Sequence, residues 1–391
     1  MKKKLFLILI SFIMLLLVGC KTSNEIHNTS YDVNVSINDI NEAFVPASLK
    51  AKEAVVGVSL YTKAGITRSW YIQATGSGVI YKGMAYLKNG STKGISETKD
   101  SDDVKYYEYY VLTNAHVVNS NAAYKDIKVY LSKIDTLVSS ELVGYNAYED
   151  LAVVKFTTSI YIKPLEFGSE NPKVGEIVLA CGNPLGYDYT STVTMGIISN
   201  EERYLNVERD TDGDGVDDWE GTSLVIQHDA AINSGNSGGA LVNIKGELVG
   251  INAMKVTDSK ETIEGIGFAI PISVVLSVLE KMENGEKASP NLLKNSTIYD
   301  VNELLNKEVL RLNKLPDVDL SNLAVTYGAY VYNSSKNEYG LKSGDVIVGM
   351  NDNVILNEGM LEANLRTFNG SSITWKLYRN NELTEIIYNF E

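Results

Sequence analysis

Residues 223–251 read SLVIQHDAAINSGNSGGALVNIKGELVGI. Three short apolar runs, Ser223–Ile226, Ala240–Val242 and Leu248–Ile251, are separated by turns bearing Gly and Asn, the spacing expected of short antiparallel strands. The first turn is Asn233-Ser234-Gly235-Asn236-Ser237-Gly238-Gly239. Glycine adopts backbone dihedrals closed to other residues, so such a turn can present the Ser237 hydroxyl as a nucleophile. It can also aim the N–H groups of Gly235 and Ser237 at one point, the arrangement of an oxyanion hole. Taken alone, the segment is equally a plain Gly/Ser/Asn loop.

The same punctuation extends outward in both directions. Ala54–Leu60, Gly78–Tyr81, Tyr110–Thr113, Ile127–Leu131, Leu151–Phe156, Ile177–Ala180 and Thr192–Ile198 read as further strands, so the fold class is mainly β, a barrel or sandwich. Residues 86–109 read as a long Lys-, Gly-, Ser- and Asp-rich surface loop. Ile272–Met282, entered after Pro271 and left before Gly285, reads as a helix. Asp300–Asn313 and Glu358–Phe368 read as two more. A small α+β unit follows, in which Ile373, Trp375 and Leu377 alternate with Thr374, Lys376 and Tyr378 as in a half-buried strand.

The chain has 391 residues, 44% hydrophobic and 21% charged, a globular composition with room for two or three domains. Its 35 basic and 49 acidic residues give a formal charge of −14, which argues against nucleic acid as a partner. Two cysteines exclude a disulfide scaffold and a Cys-rich zinc site. Cys181 lies in an apolar run and reads as a small buried hydrophobe.

Two further stretches give Ser237 partners. Thr113-Asn114-Ala115-His116-Val117-Val118 puts a histidine at a strand end, and Glu149-Asp150-Leu151-Ala152 puts an aspartate just before a buried strand. The chain order His116, Asp150, Ser237 is that of chymotrypsin-type proteases. With GNPLG, LVGIN and GIGFAIP, these motifs resemble, in order through residues 55–280, the HtrA/Deg family of envelope serine proteases. Gly340–Ile347 is more weakly similar to a PDZ segment. The resemblance implies a chymotrypsin-like double β-barrel followed by a PDZ-like domain, polypeptide substrates, a homotrimer, and no cofactor for catalysis.

It further implies that Ser237 attacks the peptide carbonyl, His116 moves the proton, Asp150 holds the imidazole, and the Gly235 and Ser237 amides bind the oxyanion. Ile232, Asn252, Ala253 and Met254 should line the pocket for the side chain before the scissile bond. None of them is charged, so a small or medium aliphatic preference is expected. The domains are then a signal peptide at 1–19, a polar tether at 20–50, a protease domain at 51–285, a linker and helix at 286–322, and a divergent PDZ-like domain at 323–391. Residues 290–325 lack the Gly-containing loop with which a PDZ domain grips a peptide C-terminus.

Three other features carry expectations. Lys2–Lys4, an apolar run at 5–19 and Leu17-Val18-Gly19-Cys20 resemble a lipoprotein signal ending in a lipidated Cys20, against an ordinary signal peptide or an uncleaved anchor. This places the protein in the bacterial envelope, lipid-anchored on the outer side of the cytoplasmic membrane or facing the periplasm. Asp210-Thr211-Asp212-Gly213-Asp214-Gly215-Val216-Asp217-Asp218 reads as a short calcium loop, with Asp210, Asp212, Asp214, the Val216 carbonyl and Asp218 as ligands, against a solvated acidic turn. An EF-hand would next require Glu at 221, where Gly221 stands. His228 reads as a packing residue, and His27, in the tether, as inert. Against the membrane-anchored endopeptidase stand two other classes: a lipid-anchored chaperone or peptide-binding protein that holds unfolded chains with little or no proteolysis, and a calcium-dependent adhesion protein.

Overall fold

The computed structural model describes residues 37–390 apart from 65–68, 100–101, 170, 184–189, 259–260, 290–292, 314–317, 319 and 321–322, and only the backbone at 37–40, 64, 254–258, 261–263, 307, 312–313 and 336–337. The signal segment, Cys20, His27 and most of the expected tether lie outside the described residues. So do Pro184, Leu185 and Gly186 of the GNPLG motif. Among the described residues no helix is long and apolar enough to cross a membrane.

The polar stretch expected as a tether to residue 50 instead ends in a helix, α1 (Ile37–Ala54). Its Ala47, Ala51 and Ala54 are buried, a spacing of four and three that sets them on one helical face. They join the hydrophobic core, and the Lys50 ammonium donates to the Lys245 carbonyl at 2.8 Å. Phe44 packs partly buried against the same core, but the wholly buried positions are alanines, which give a weaker apolar signal than the large residues by which an amphipathic segment is recognised.

The first barrel comprises β1 (Val55–Ala64), β2 (Ser69–Leu87), β4 (Val104–Thr113), β5 (Lys125–Leu131), β6 (Thr136–Asn146) and β7 (Leu151–Thr158). The order is β1-β5-β6-β7-β4-β2, and β2 pairs back to β1 to close the ring. Ile127, Val129 and Leu131 of β5 are buried, with the intervening residues only partly so, the period-2 pattern of a one-sided strand. Residues 86–109 are not a loop throughout. β2 runs to Leu87, a short β3 (Thr92–Gly94) pairs beside it, and β4 begins at Val104.

The second barrel is closed in the order β10-β13-β12-β11-β8-β9, from β8 (Ile177–Gly182), β9 (Thr192–Arg209), β10 (Trp219–His228), β11 (Ala240–Asn243), β12 (Leu248–Asp258) and β13 (Glu261–Pro271). Val178, Ala180, Ile198, Ile226, Leu241 and Ala269 fill it. Burial pushes the Cys181 thiol up to about 12, so it stays an inert thiol. The helix α2 (Ala115–Val118) follows β4, and α3 (Ile272–Glu283) returns to the first barrel. There Tyr81 and Lys82 both donate to Glu283 at 2.7 Å.

The C-terminal unit is a sheet ordered β14-β15-β16-β18-β19, with β17 (Asn353–Val354) paired to β16. Its strands are β14 (Ser296–Asp300), β15 (Ala329–Ser334), β16 (Val346–Met350), β18 (Ser372–Arg379) and β19 (Glu382–Asn389). β14 falls inside the stretch expected as linker. The expected helix at 300–313 breaks at Asn306 into α4 (Val301–Leu305) and α5 (Lys307–Asn313). Ile373, Trp375 and Leu377 are fully buried, with α6 (Glu358–Arg366) packed over them through Leu361 and Leu365.

Placing a carboxylate on the alanine face of α1 tests that face directly. Ala51→Asp should destabilise the protein by at least ~3 kcal/mol, because an isolated charge is expensive to bury. An unchanged urea midpoint would mean that α1 is not docked on the core.

Candidate active site

Three chain segments far apart in sequence meet where the barrels adjoin. His116 is the second residue of α2, directly after β4. Asp150 closes the turn between β6 and β7. Its backbone lies in the left-handed region at φ 54°, unusual for a non-glycine residue. The Asp150 N–H donates to the Ala147 carbonyl at 3.2 Å, and Asn114 Nδ2 donates to the Asp150 carbonyl at 2.8 Å.

His116 Nδ1 lies 2.8 Å from Asp150 Oδ2 and 3.0 Å from Oδ1, and the His116 backbone N–H donates to Oδ1 at 3.0 Å. With Nδ1 carrying the proton toward the carboxylate, Nε2 is left as the basic nitrogen. The imidazole is half exposed while the carboxylate is buried. Burial works against a charged imidazole, but the Asp150 charge and hydrogen bond outweigh it and hold His116 above its ordinary pKa. Burial alone would likewise raise the Asp150 carboxyl; the charges of His116 and Arg209, with the hydrogen bonds, reverse this and hold it below the usual range.

Ser237 lies on the turn between β10 and β11. Gly235 has φ 97° and Gly238 has φ 83°, and a Cβ at Gly238 would come within 2.2 Å of the Ser77 carbonyl oxygen. No L-side chain fits there. The Ser237 hydroxyl donates to the Ala253 carbonyl at 3.0 Å, so its rotamer faces β12. Among the described residues, neither the Gly235 nor the Ser237 N–H donates to a backbone carbonyl.

Ile232, Asn252 and Ala253 are buried beside this turn. Asn252 is held by Nδ2 donating to the Ala240 carbonyl at 2.9 Å, and its own carbonyl accepts from Gly238 N–H at 2.8 Å. The Met254 backbone pairs with Phe268, and its side chain lies outside the described residues. His228 lies below Ile232: a Cβ at Gly267 would meet both side chains at 2.8 Å. It is wholly buried, burial pushes its imidazole down to about 4, and it is therefore a neutral packing group.

Two partners of this site leave little mark in the sequence. Ser77 donates its N–H to the Ser237 carbonyl at 2.8 Å and its hydroxyl to the Gly235 carbonyl at 2.7 Å. The same hydroxyl accepts from Asn183 N–H at 2.8 Å. The only local hint is the flanking pair Gly76 and Gly78. The second partner is Glu149, whose carboxylate is buried against Arg366 of α6.

The acidic loop forms the tip of the β9–β10 hairpin. Carboxylate oxygens of Asp210, Asp212 and Asp214 lie within 4.8 Å of one another, three hard donors of the kind calcium takes. Asp218 does not join them, because its carboxylate accepts from Thr211 N–H at 2.6 Å and from the Thr211 hydroxyl at 2.8 Å. The loop touches the segment following His116: Asn121 N–H donates to the Gly213 carbonyl at 2.8 Å and Asn119 Nδ2 to the Asp210 carbonyl at 3.2 Å.

Residues 98–251 match the model of the trypsin-like peptidase domain. Over 361 residues the chain is 33% identical to the serine protease Do-like HtrA of Lactococcus lactis subsp. cremoris, covering 89% of this chain and 82% of that protein. The chain belongs to the HtrA family of trypsin-like serine proteases. A second HtrA, from Lactococcus lactis subsp. lactis, is 32% identical over 345 residues, covering 85% and 78%. A solved serine endoprotease from Yersinia pestis is 27% identical with a TM-score of 0.47, covering 88% of this chain and 96% of that one. This HtrA protein is a serine endopeptidase.

The two described histidines should separate sharply by NMR. His116 titrates above the ordinary histidine value of about 6.5, and Asp150→Asn lowers its midpoint. His228 stays neutral until the pH approaches about 4. A His116 midpoint at or below 6.5 in the folded wild type would show that Asp150 does not control its charge.

Proposed function

We propose that this HtrA endopeptidase hydrolyses unfolded or damaged envelope proteins through an acyl-enzyme on Ser237, with His116 as general base and acid and Asp150 as its orienting carboxylate. The observation that carries the proposal is the 2.8 Å contact between the Asp150 carboxylate and His116 Nδ1, beside a glycine-flanked serine. The Ser237 hydroxyl gives up its bond to Ala253 as it turns to the imidazole, and the Gly235 and Ser237 amides receive the oxyanion. Lipidated Cys20 holds the enzyme on the outer side of the membrane. Three copies assemble, and the C-terminal unit is a PDZ-like domain with an altered peptide groove. The apolar side chains of Ile232 and Ala253 favour small or medium aliphatic residues before the scissile bond.

Calcium is proposed to bind through Asp210, Asp212 and Asp214 with the Val216 carbonyl, while Asp218 stays on Thr211. The loop's hydrogen bonds to residues 119 and 121 give it a short path to His116, so ordering it raises the active fraction.

A fluorophosphonate label should mark Ser237 in the wild type. Ser237→Ala should lose the label and about a million-fold in casein cleavage; undiminished cleavage by that variant overturns the mechanism, and cleavage chiefly after Lys or Arg overturns the pocket assignment. Calcium should bind by calorimetry and speed peptide hydrolysis. Heatless titration removes the site, and equal rates in calcium and chelator remove its regulatory role.

A further inference from the structure

One buried ion pair joins the C-terminal unit to the barrels. Arg366, the last residue of α6, donates from Nε to Glu149 Oε1 at 2.8 Å and from Nη2 to the Thr222 carbonyl. Its guanidinium stacks over the Trp219 ring, 5.0 Å from the centroid. Both charged side chains are 2% exposed. The contact extends along α6, where Asn364 Nδ2 donates to the Tyr204 hydroxyl at 3.0 Å.

Glu149 is bonded directly to Asp150. Its N–H donates to Asn146 Oδ1 at 3.2 Å, and its carboxylate is clamped by Arg366, so the residue before the left-handed Asp150 is fixed at both ends. A backbone held in a sparsely populated region persists only where its surroundings over-determine it. We infer that Arg366 is a positioning residue for proteolysis: through Glu149 it fixes the turn that presents the Asp150 carboxylate to His116, so the C-terminal unit completes the active site. This rests on the reading of Ser237, His116 and Asp150 as the catalytic set.

Removing the guanidinium leaves the Glu149 carboxylate buried without a counter-charge. It then takes up a proton or swings toward water, and either change moves the neighbouring Asp150. Lysine restores a charge but lacks the planar fork that holds Glu149 and Thr222 together while stacking on Trp219.

The experiment compares the full-length wild type with Arg366→Gln and Arg366→Lys. It measures kcat and KM on one peptide, the rate of fluorophosphonate labelling, and the His116 NMR titration. For Arg366→Gln we expect kcat and labelling to fall about 10- to 100-fold, the size of effect a displacement near 1 Å produces. KM should stay within about twofold, and the His116 midpoint should move down toward its ordinary value. Arg366→Lys should recover part of both. Wild-type kcat and wild-type His116 titration in a folded Arg366→Gln overturn the inference, as does a loss confined to KM. Should that variant not fold, Glu149→Gln, which keeps volume and an acceptor, is judged by the same criteria. A wild type that cleaves peptide without labelling at Ser237 refutes the catalytic set instead, which separates the two failures.

Discussion

The seam between the barrels is the constraint on which the rest depends. An imidazole and a carboxylate from the first barrel must meet a hydroxyl from the second to within hydrogen-bonding tolerance, and one residue stitches the two sides. Ser77 of β2 binds the Ser237 and Gly235 carbonyls and the Asn183 N–H, while the Thr113 hydroxyl closes onto the Ser77 carbonyl at 2.7 Å. Ser77, Thr113 and Asn183 are buried, where an orphaned polar group costs about 1–3 kcal/mol. The glycines around Ser77 follow from the same geometry. A Cβ at Gly76 would lie 2.8 Å from the Ser237 carbonyl oxygen, and one at Gly78 would lie 2.4 Å from Val111.

What the sequence made legible was local. Period-2 strands, the Gly-flanked serine and the short motifs around His116 and Asp150 are read from residues a few positions apart. The misreadings have a common physical cause in polarity taken as a sign of disorder. Residues 37–50 look like a tether because the wholly buried positions of their helix are alanines, which give only a weak apolar signal. Residues 86–109 look like a loop because an edge hairpin is wet on one side and needs few apolar residues. Arg366 and Glu149 stand 217 positions apart, and no local pattern announces a pair of that separation. Asp218 shows the converse: its spacing suits a ligand, yet Thr211 next door offers it two hydrogen bonds.

Acidic groups serve here in two electrostatic regimes. Asp150 and Glu149 are both buried with a cationic or cation-forming partner, yet the balance differs. At Asp150 the charges of His116 and Arg209 outweigh desolvation and hold the carboxyl low, whereas at Glu149 desolvation outweighs Arg366 and holds the carboxyl above its usual range. The aspartates at 210, 212, 214 and 218 lie on a hairpin tip where solvent and salt screen them, so their positions are governed mainly by backbone N–H donors such as Gly213, Gly215 and Val216. A change in ionic strength therefore reaches the loop far more than it reaches the buried Asp150 carboxylate.

The base of that hairpin is nevertheless where the two regimes touch. Trp219 pairs with Arg209 across β9 and β10, meets Tyr148 edge-on at 5.3 Å, and carries the Arg366 guanidinium on its face. Tyr148 belongs to the same turn as Glu149 and Asp150. The base of the acidic loop, the C-terminal unit and the turn that carries Asp150 thus meet in one cluster of side chains. A ligand that ordered the loop and a ligand that shifted α6 would both act on this cluster. Linkage then requires that whatever coupling free energy one ligand exerts on the other be returned in equal measure. Regulation by either proposed route would turn on how firmly residues 147–150 hold their turn.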